Sequence, residues 1–252
     1  MATKVEILDY FYDTALSLAK ERDNRFTNQF VTNKLKIISK DDHQLNKYIE
    51  GTIGYLGDMS AALLFDYDPQ EIMRNMIIDT DLLEHRDDCD LIYRGNRIDV
   101  KTEFYGKNQQ QHLSKLKRIL NKKIKDDEAY GCRLINNNQF KQNSRNIDIY
   151  LFGTLDNIDP RKAKIWICLG WITTEHVKEI SPNPQSHSPA GLKLWTPAHC
   201  IPNNILYDFE KIKLIKEGKF SNYHNYDLNP KYKDFSSAQI ERFNQICQRA
   251  KI

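Results

Sequence analysis

The sequence predicts an α/β fold in which a mixed central β-sheet is flanked by helices, and three observations carry that reading. Apolar residues recur at helical spacing near both ends of the chain and over 45–65 and 107–125. A tight hairpin is written around Arg94-Gly95-Asn96-Arg97. Two apolar runs, 147–155 and 164–172, read as further strands. Helical and extended segments that alternate in this way bury their apolar faces against one another in layers.

Taken in order, Thr3 and Glu6 form a capping box ahead of Leu8, Phe11, Tyr12, Ala15 and Leu18, which predicts a first helix from the N-terminus. Residues 21–46 are mixed and polar, with a strand expected over 30–38. A second helix is expected from Leu45 to Phe65, although Gly51, Gly54 and Gly57 lie inside it. Each glycine costs up to ~1 kcal/mol against alanine, so close packing is the expected compensation; the alternative is a helix that begins only near Gly57. The hairpin joins a strand from Asp90 to one running from Ile98 to Tyr105, with Gly95 and Asn96 supplying the positive φ of the turn. A basic helix follows over 107–125, with Leu113, Leu116 and Leu120 as its apolar stripe. Of the two later strands, the second is continuous enough to be central in the sheet, and a short helix follows Thr174. Residues 181–204 hold five of the eight prolines and read as a long irregular loop, a kind of segment that is usually functional or mobile. Ser236 and Gln239 cap a last helix bearing Ile240, Phe243, Ile246 and Cys247. No repeat, low-complexity tract or linker divides the chain. A single domain over 1–252 is expected: a helical N-terminal elaboration (1–50), a core (51–180), and the proline-rich loop with the C-terminal helix (181–252).

Composition narrows the class. With 40% hydrophobic and 11% aromatic residues among 252, the chain can fill a core and is not broadly disordered. Its longest apolar run, Ile165 to Ile172, is far short of the ~20 residues a membrane helix needs. The acid-bearing N-terminus has no apolar signal region, so a cytoplasmic location without membrane contact is expected. The five cysteines stand at least 32 residues apart, which speaks for isolated thiols and against a structural zinc site. His112, His176 and His199 show no ligand spacing and read as surface or core polarity. Net charge is +3, but Lys101 to Lys125 contains eight basic residues and one acid, so the rest of the chain is net negative. That concentration is a local electrostatic footprint.

The chemistry sits on the hairpin. An acid-x-base triplet such as Asp99-Val100-Lys101 is expected about five times by chance at this composition, so its placement matters more than its occurrence. Strand alternation puts Asp99, Lys101 and Glu103 on one face and Ile98, Val100 and Thr102 on the other. A turn at Arg94-Gly95 sets Asp90 opposite Asp99, with Cβ atoms ~5 Å apart. Like charges so opposed repel unless something positive lies between them, and Mg²⁺ is typically held by one or two carboxylates plus waters and phosphate oxygens. Lys101 stands where its ammonium can reach a water or phosphate beside such an ion. A solvated salt-bridge network is the plain alternative.

Asp-x8-Asp-x-Lys on a hairpin, preceded by a glycine-flanked acidic helix, resembles the PD-(D/E)XK nuclease superfamily of restriction enzymes, resolvases and repair nucleases. The resemblance covers Gly51 to Tyr105 and implies a restriction-endonuclease-like core. It implies a Mg²⁺-dependent DNA endonuclease, of restriction or phage-defence type, in which Mn²⁺ can substitute. Asp90, Asp99 and Lys101 would be catalytic; Asp58, Asp90, Asp99 and the Val100 carbonyl would hold the metal. The products would carry a 5′-phosphate and a 3′-hydroxyl. Cys89 replaces the motif's proline, Asp58 is shorter than the usual glutamate, and Asp88 stands as an alternative first ligand. Glu103 is a further candidate beside the ligands. Lys107, Lys115, Lys117, Arg118, Lys122 and Lys123 are the expected DNA contacts, with duplex DNA the expected partner. A homodimer is left open, as are two rivals: a non-catalytic nucleic-acid-binding module on the same fold, and a branched-DNA resolvase. No P-loop appears, so no ATP requirement is expected.

Overall fold

Residues 2–25, 43–68, 89–143 and 147–218 are described in a computed structural model. The expected strand over 30–38 and the C-terminal helix lie outside these residues. Among the described residues the helices are α1 (Phe11–Arg25), α2 (His43–Leu63), α3 (Gln109–Leu120), α4 (Asn137–Asn143) and α5 (Thr174–Ile180). The strands are β1 (Lys4–Glu6), β2 (Leu91–Tyr93), β3 (Asn96–Thr102), β4 (Cys132–Asn136), β5 (Ile149–Leu155), β6 (Ile165–Thr173), β7 (Gln185–His187) and β8 (Lys193–Pro202). The fold is α/β: a mixed five-stranded sheet in the order β1-β6-β5-β3-β2, and a three-stranded sheet in the order β4-β8-β7.

Among the described strands only β3 and β5 run parallel, with Asp99 beside Tyr150 and Lys101 beside Phe152. A parallel pair needs a crossover, which residues 103–148 supply. Ile98, Val100, Ile149, Leu151, Trp166 and Cys168 face α1 and α2 across one layer of core. On the other face, Ile92, Tyr150, Phe152 and Ile172 pack against Ile135, Phe140, Val177 and Ile201 of the second sheet and its short helices. β5, buried along its whole length, is the middle strand; β6, the continuous apolar run, is also interior, paired along its length with β5 and over three residues with β1.

Several local expectations change for identifiable reasons. Thr3 and Glu6 do not cap a helix, because residues 4–6 pair with β6, whose backbone takes Ile7 and Thr3 into the ladder (Ile7 N to Lys164 O and Cys168 N to Thr3 O, both 2.9 Å). α1 begins at Phe11 and buries Phe11, Thr14, Ala15, Leu18 and Ala19, one stripe of a 3.6-residue period. The turn is a two-residue one on Arg94 (φ 49°) and Gly95 (φ 72°), so Arg94 takes the positive φ expected of Asn96. Arg94 is held there by distant backbone: its guanidinium donates to Lys213 O, 119 residues away, at 2.6 Å, and Gly218 N donates to Arg94 O at 2.9 Å. The expected loop at 181–204 is mostly sheet. β8 pairs with β4 from Ala198 to Pro202, and Pro197 lies just outside that ladder while Pro202 ends it, where no donor is missed. α3 is shorter than 107–125 and rotated from the expected stripe: His112, Leu116 and Ile119 are buried, whereas Leu113 is 46% exposed. His112 sets that phase, accepting from Tyr105 N (3.1 Å) at Nδ1 and so donating from Nε2 to Leu155 O (2.8 Å). Among the described residues no helix is long and apolar enough to cross a membrane.

α2 is continuous through its glycines, and two of them serve different neighbours. Gly51 and Gly57 stand about 240° apart around the helix. A Cβ on Gly51 would lie 3.0 Å from Ala19 Cβ of α1, and one on Gly57 would lie 1.9 Å from Thr102 Oγ1 of β3. Gly54 has open space. Gly57→Ala is therefore expected to lower stability by about 1–3 kcal/mol through overpacking against the stiff Thr102 side chain. Gly54→Ala should instead raise it by up to ~1 kcal/mol through helix propensity. Urea unfolding at constant m-value measures both, and equal effects would contradict the close approach at Gly57.

Candidate active site

The hairpin register is Leu91↔Ile98, Ile92↔Arg97 and Tyr93↔Asn96. The ladder ends there: Asp90 N donates to Ile98 O at 2.9 Å, the carbonyl of the residue paired with Leu91, so the expected pairing of Asp90 with Asp99 is not part of the register. The Asp90 carboxylate turns inward, its Oδ2 accepting from Val100 N–H at 2.6 Å. Along an extended strand the N–H and C=O of one residue leave on the same side, so the Val100 carbonyl also points past the end of β2. Asp88 lies outside the described residues.

Lys101 and Asp99 form a close pair, Nζ lying 2.8 Å from each carboxylate oxygen. Asp99 is buried, and the Lys101 side chain keeps 22% of its surface. Asp58 arrives from the helix layer: Gly57 lets α2 settle onto Thr102, and the next residue stands within electrostatic reach of the hairpin. Burial pushes the Asp90 carboxyl well above the usual carboxylate range, and the charges of Asp58 and Asp99 push it further, against Lys101 and the Val100 N–H. Burial works against the Lys101 ammonium, yet Asp99, Asp90 and Asp58 outweigh it and hold its pKa above the ordinary lysine value. Three acids thus surround one base, and the excess is negative.

Glu103, third on the same face, is set apart from this group. Arg133 of β4, fully buried, donates to its Oε2 at 2.6 Å and to Tyr130 O at 2.6 Å, and lies 4.6 Å from the centre of the Tyr105 ring. The pair ties the second sheet to the chain just past β3, two residues beyond Lys101. Neither Arg133 nor Tyr150, which stands beside Asp99, was legible as part of the surroundings in the sequence. An arginine in an apolar strand such as Cys-Arg-Leu-Ile signals burial, but its partner depends on a sheet contact that no local pattern encodes.

The basic segment lies at the far end of β3. Tyr105, where α3 attaches through His112, is four residues beyond Lys101 and three past the end of β3. Lys107, Lys117, Lys122 and Lys123 are exposed, and Lys115 is half-buried. Arg118 is already engaged, pairing with Glu128 at 2.7 Å and donating to Lys123 O at 3.2 Å. His176 and His199 have local partners: Nδ1 of His176 lies 3.1 Å from Tyr207 OH, and Nδ1 of His199 lies 2.6 Å from Ser181 O. The four described cysteines are buried.

Hard carboxylate oxygens and a nearby carbonyl are the donor types that a divalent cation such as Mg²⁺ takes, and the surplus negative charge around Asp90 is what such an ion would neutralise. Among the described residues no three His, Cys, Asp or Glu side chains are gathered closely enough to hold an ion as they stand. Lys101 grips both oxygens of Asp99 in this arrangement, so ligation by Asp99 requires that grip to loosen.

The electrostatics have a measurable sign. Asp90 binds its proton more tightly folded than unfolded, so the stability it contributes is fully present below the unfolded carboxylate pKa. That contribution is lost as pH rises through the raised folded value. In chelator, the parent should lose stability as pH increases upward from about 4, and Asp90→Asn, which keeps an acceptor for Val100 N–H, should lose less. At pH 7 the variant should be the more stable protein by thermal unfolding. A less stable Asp90→Asn would mean that the Asp90 charge supports the fold.

Comparison of the chain with protein-family models, with curated proteins and with solved structures finds no match. Its function is accordingly read from the charges themselves.

Proposed function

We propose that the protein is a divalent-cation-dependent endonuclease that hydrolyses phosphodiester bonds of DNA, with a restriction-endonuclease-like core. The observation that carries this reading is the gathering of Asp58, Asp90, Asp99 and Lys101 from one helix and one hairpin into a partly buried group with excess negative charge. A salt-bridge network built for stability would more often sit in water, where its charges are not desolvated, and Asp90 and Asp99 are withdrawn from it. The succession of helix α2, hairpin β2–β3, crossover and parallel strand β5 is consistent with the same reading.

Asp90 and Asp99, with Asp58 and the Val100 carbonyl beside them, would hold Mg²⁺ or Mn²⁺. Such an ion lowers the pKa of a bound water and offsets negative charge on phosphate. Lys101, once released from Asp99, donates to a phosphate oxygen or orients the attacking water. Asp99 keeps the ammonium charged and correctly aimed until then. The exposed lysines of the α3 region would hold the nucleic-acid backbone without reading sequence.

Asp99→Ala and Lys101→Ala should each lower plasmid nicking in Mg²⁺ by about 10²–10³ while the protein stays folded. Retention of activity within threefold in either variant would place the chemistry elsewhere, and nicking by the parent in chelator would exclude the cation. A protein that only binds nucleic acid would bind in both conditions and cut in neither.

Replacing Lys107, Lys117, Lys122 and Lys123 with glutamine should weaken all DNA substrates alike. The log–log salt slope should fall by about one unit for each phosphate that is no longer held. An unchanged slope would make the α3 region a solvated surface only.

A further inference from the structure

We propose that Tyr150 is a positioning residue of the acidic group: its hydroxyl donates to Asp99 in place of Lys101 when Asp99 turns to a divalent cation, which releases the lysine toward phosphate. The inference rests on the proposed cation-dependent reading and adds how Asp99 and Lys101 are parted. Tyr150 of β5 stands beside Asp99 of β3 in the parallel ladder, where strands lie about 4.8 Å apart. Val100 and Leu151 belong to the core under α1 and α2, whereas Tyr150 and Phe152 belong to the cluster on the opposite face. Alternation therefore sets Asp99, Lys101 and Tyr150 on one face of the sheet. The Tyr150 ring is fixed there, 1% exposed and stacked on Phe140 with centroids 6.1 Å apart. Its hydroxyl is within electrostatic reach of Asp99: burial raises its pKa above the ordinary tyrosine value, and the Asp99 charge raises it further.

Among the described residues this hydroxyl has no hydrogen-bond partner. A buried O–H left in that condition lowers stability, and such groups in native proteins call for an explanation. Asp99 supplies one. As the group stands, the Lys101 ammonium lies 2.8 Å from each Asp99 oxygen and occupies both. Once Asp99 gives one oxygen to a cation, like charge drives Lys101 away, and the other oxygen needs a donor. A phenol serves because it donates without adding positive charge beside the ion. Tyr105 also carries a buried hydroxyl without a described partner, but the charges that act on it are those of Arg133 and Glu103, past the end of β3. It is the control.

The test uses the full chain with Mn²⁺ alone, unbound ion being measured by its paramagnetic resonance, so that no cutting enters. Tyr150→Phe keeps the ring and should weaken Mn²⁺ binding by about 10- to 100-fold, the usual effect of removing a group that orients a metal ligand. Without Mn²⁺, the same variant should unfold at the parent's urea midpoint or above it, since it loses a buried hydroxyl that nothing satisfies. Tyr105→Phe should leave Mn²⁺ binding unchanged. Lys101→Met opens Asp99 from the outset, so Tyr150 donates both before and after the ion binds. Adding Tyr150→Phe to that background should therefore change the affinity little. Equal Mn²⁺ affinity of Tyr150→Phe and the parent would overturn the proposal. So would an undiminished Tyr150→Phe effect in Lys101→Met, or a lower urea midpoint of Tyr150→Phe, which would mean that the hydroxyl is already bonded in the resting fold. Parent nicking in Mg²⁺ is scored separately. Tyr150-dependent Mn²⁺ binding without nicking would sink the nuclease reading and leave this inference standing, and nicking with Mn²⁺ affinity indifferent to Tyr150 would do the reverse.

Discussion

Helix α2 lies against β3 at a point where no side chain fits between them. Gly57 rests on Thr102, and Thr102 Oγ1 in turn accepts from the indole of Trp166 at 3.1 Å. Trp166 can reach that far only because Gly153 of the intervening β5 has no side chain, a Cβ there falling 1.9 Å from the ring. Two glycines, one threonine and one tryptophan thus set the spacing between helix layer and sheet across three strands. The next residue along α2 is Asp58, so this spacing also decides how near a third acid comes to Asp90 and Lys101.

The group so assembled is poorly suited to stabilise a fold. Asp90 carries its raised pKa because burial and two neighbouring acids all oppose its charge, and the Lys101 ammonium that would offset them is already bonded to Asp99. A strain of this kind persists where surrounding packing over-determines it, and sites that bind or transform a ligand are where it collects. The packing here is ample: Ile98, Val100 and Leu151 beneath the group belong to the largest core cluster, and Phe152 beside Lys101 is fully buried.

The second sheet gives the molecule its asymmetry. Arg133 of β4 fastens it to Glu103 just past β3, and its other side carries the β7–β8 hairpin. Arg133 is fully buried, with Glu103 and Tyr105 among the groups that keep its charge. Removing one partner of such a buried pair is typically far more damaging than breaking a surface ion pair. The anchor and the β7–β8 hairpin are linked through a single strand, β8, and its ladder with β4.

By itself the sequence determined the parts whose causes are local. The hairpin register followed from a two-residue turn, the faces of β3 from strand alternation, and the apolar runs marked β5 and β6. Asp90, Asp99 and Lys101 could be grouped because a single short hairpin relates them. Other features depended on contacts distant in sequence, and only the tertiary structure decided them. Residues 4–6 became a strand because β6 had an open edge, and Arg94 adopted a positive φ because residues 213–218 hold it. The proline-rich segment became a sheet because β4 offered a ladder that ends where Pro202 stands and excludes Pro197. The phase of α3 was set by a histidine bonded to a strand 43 residues away. Arg133 and Tyr150 joined the surroundings of the acids for the same reason: local propensity chooses an element, but which groups share its buried face depends on partners that other parts of the chain supply.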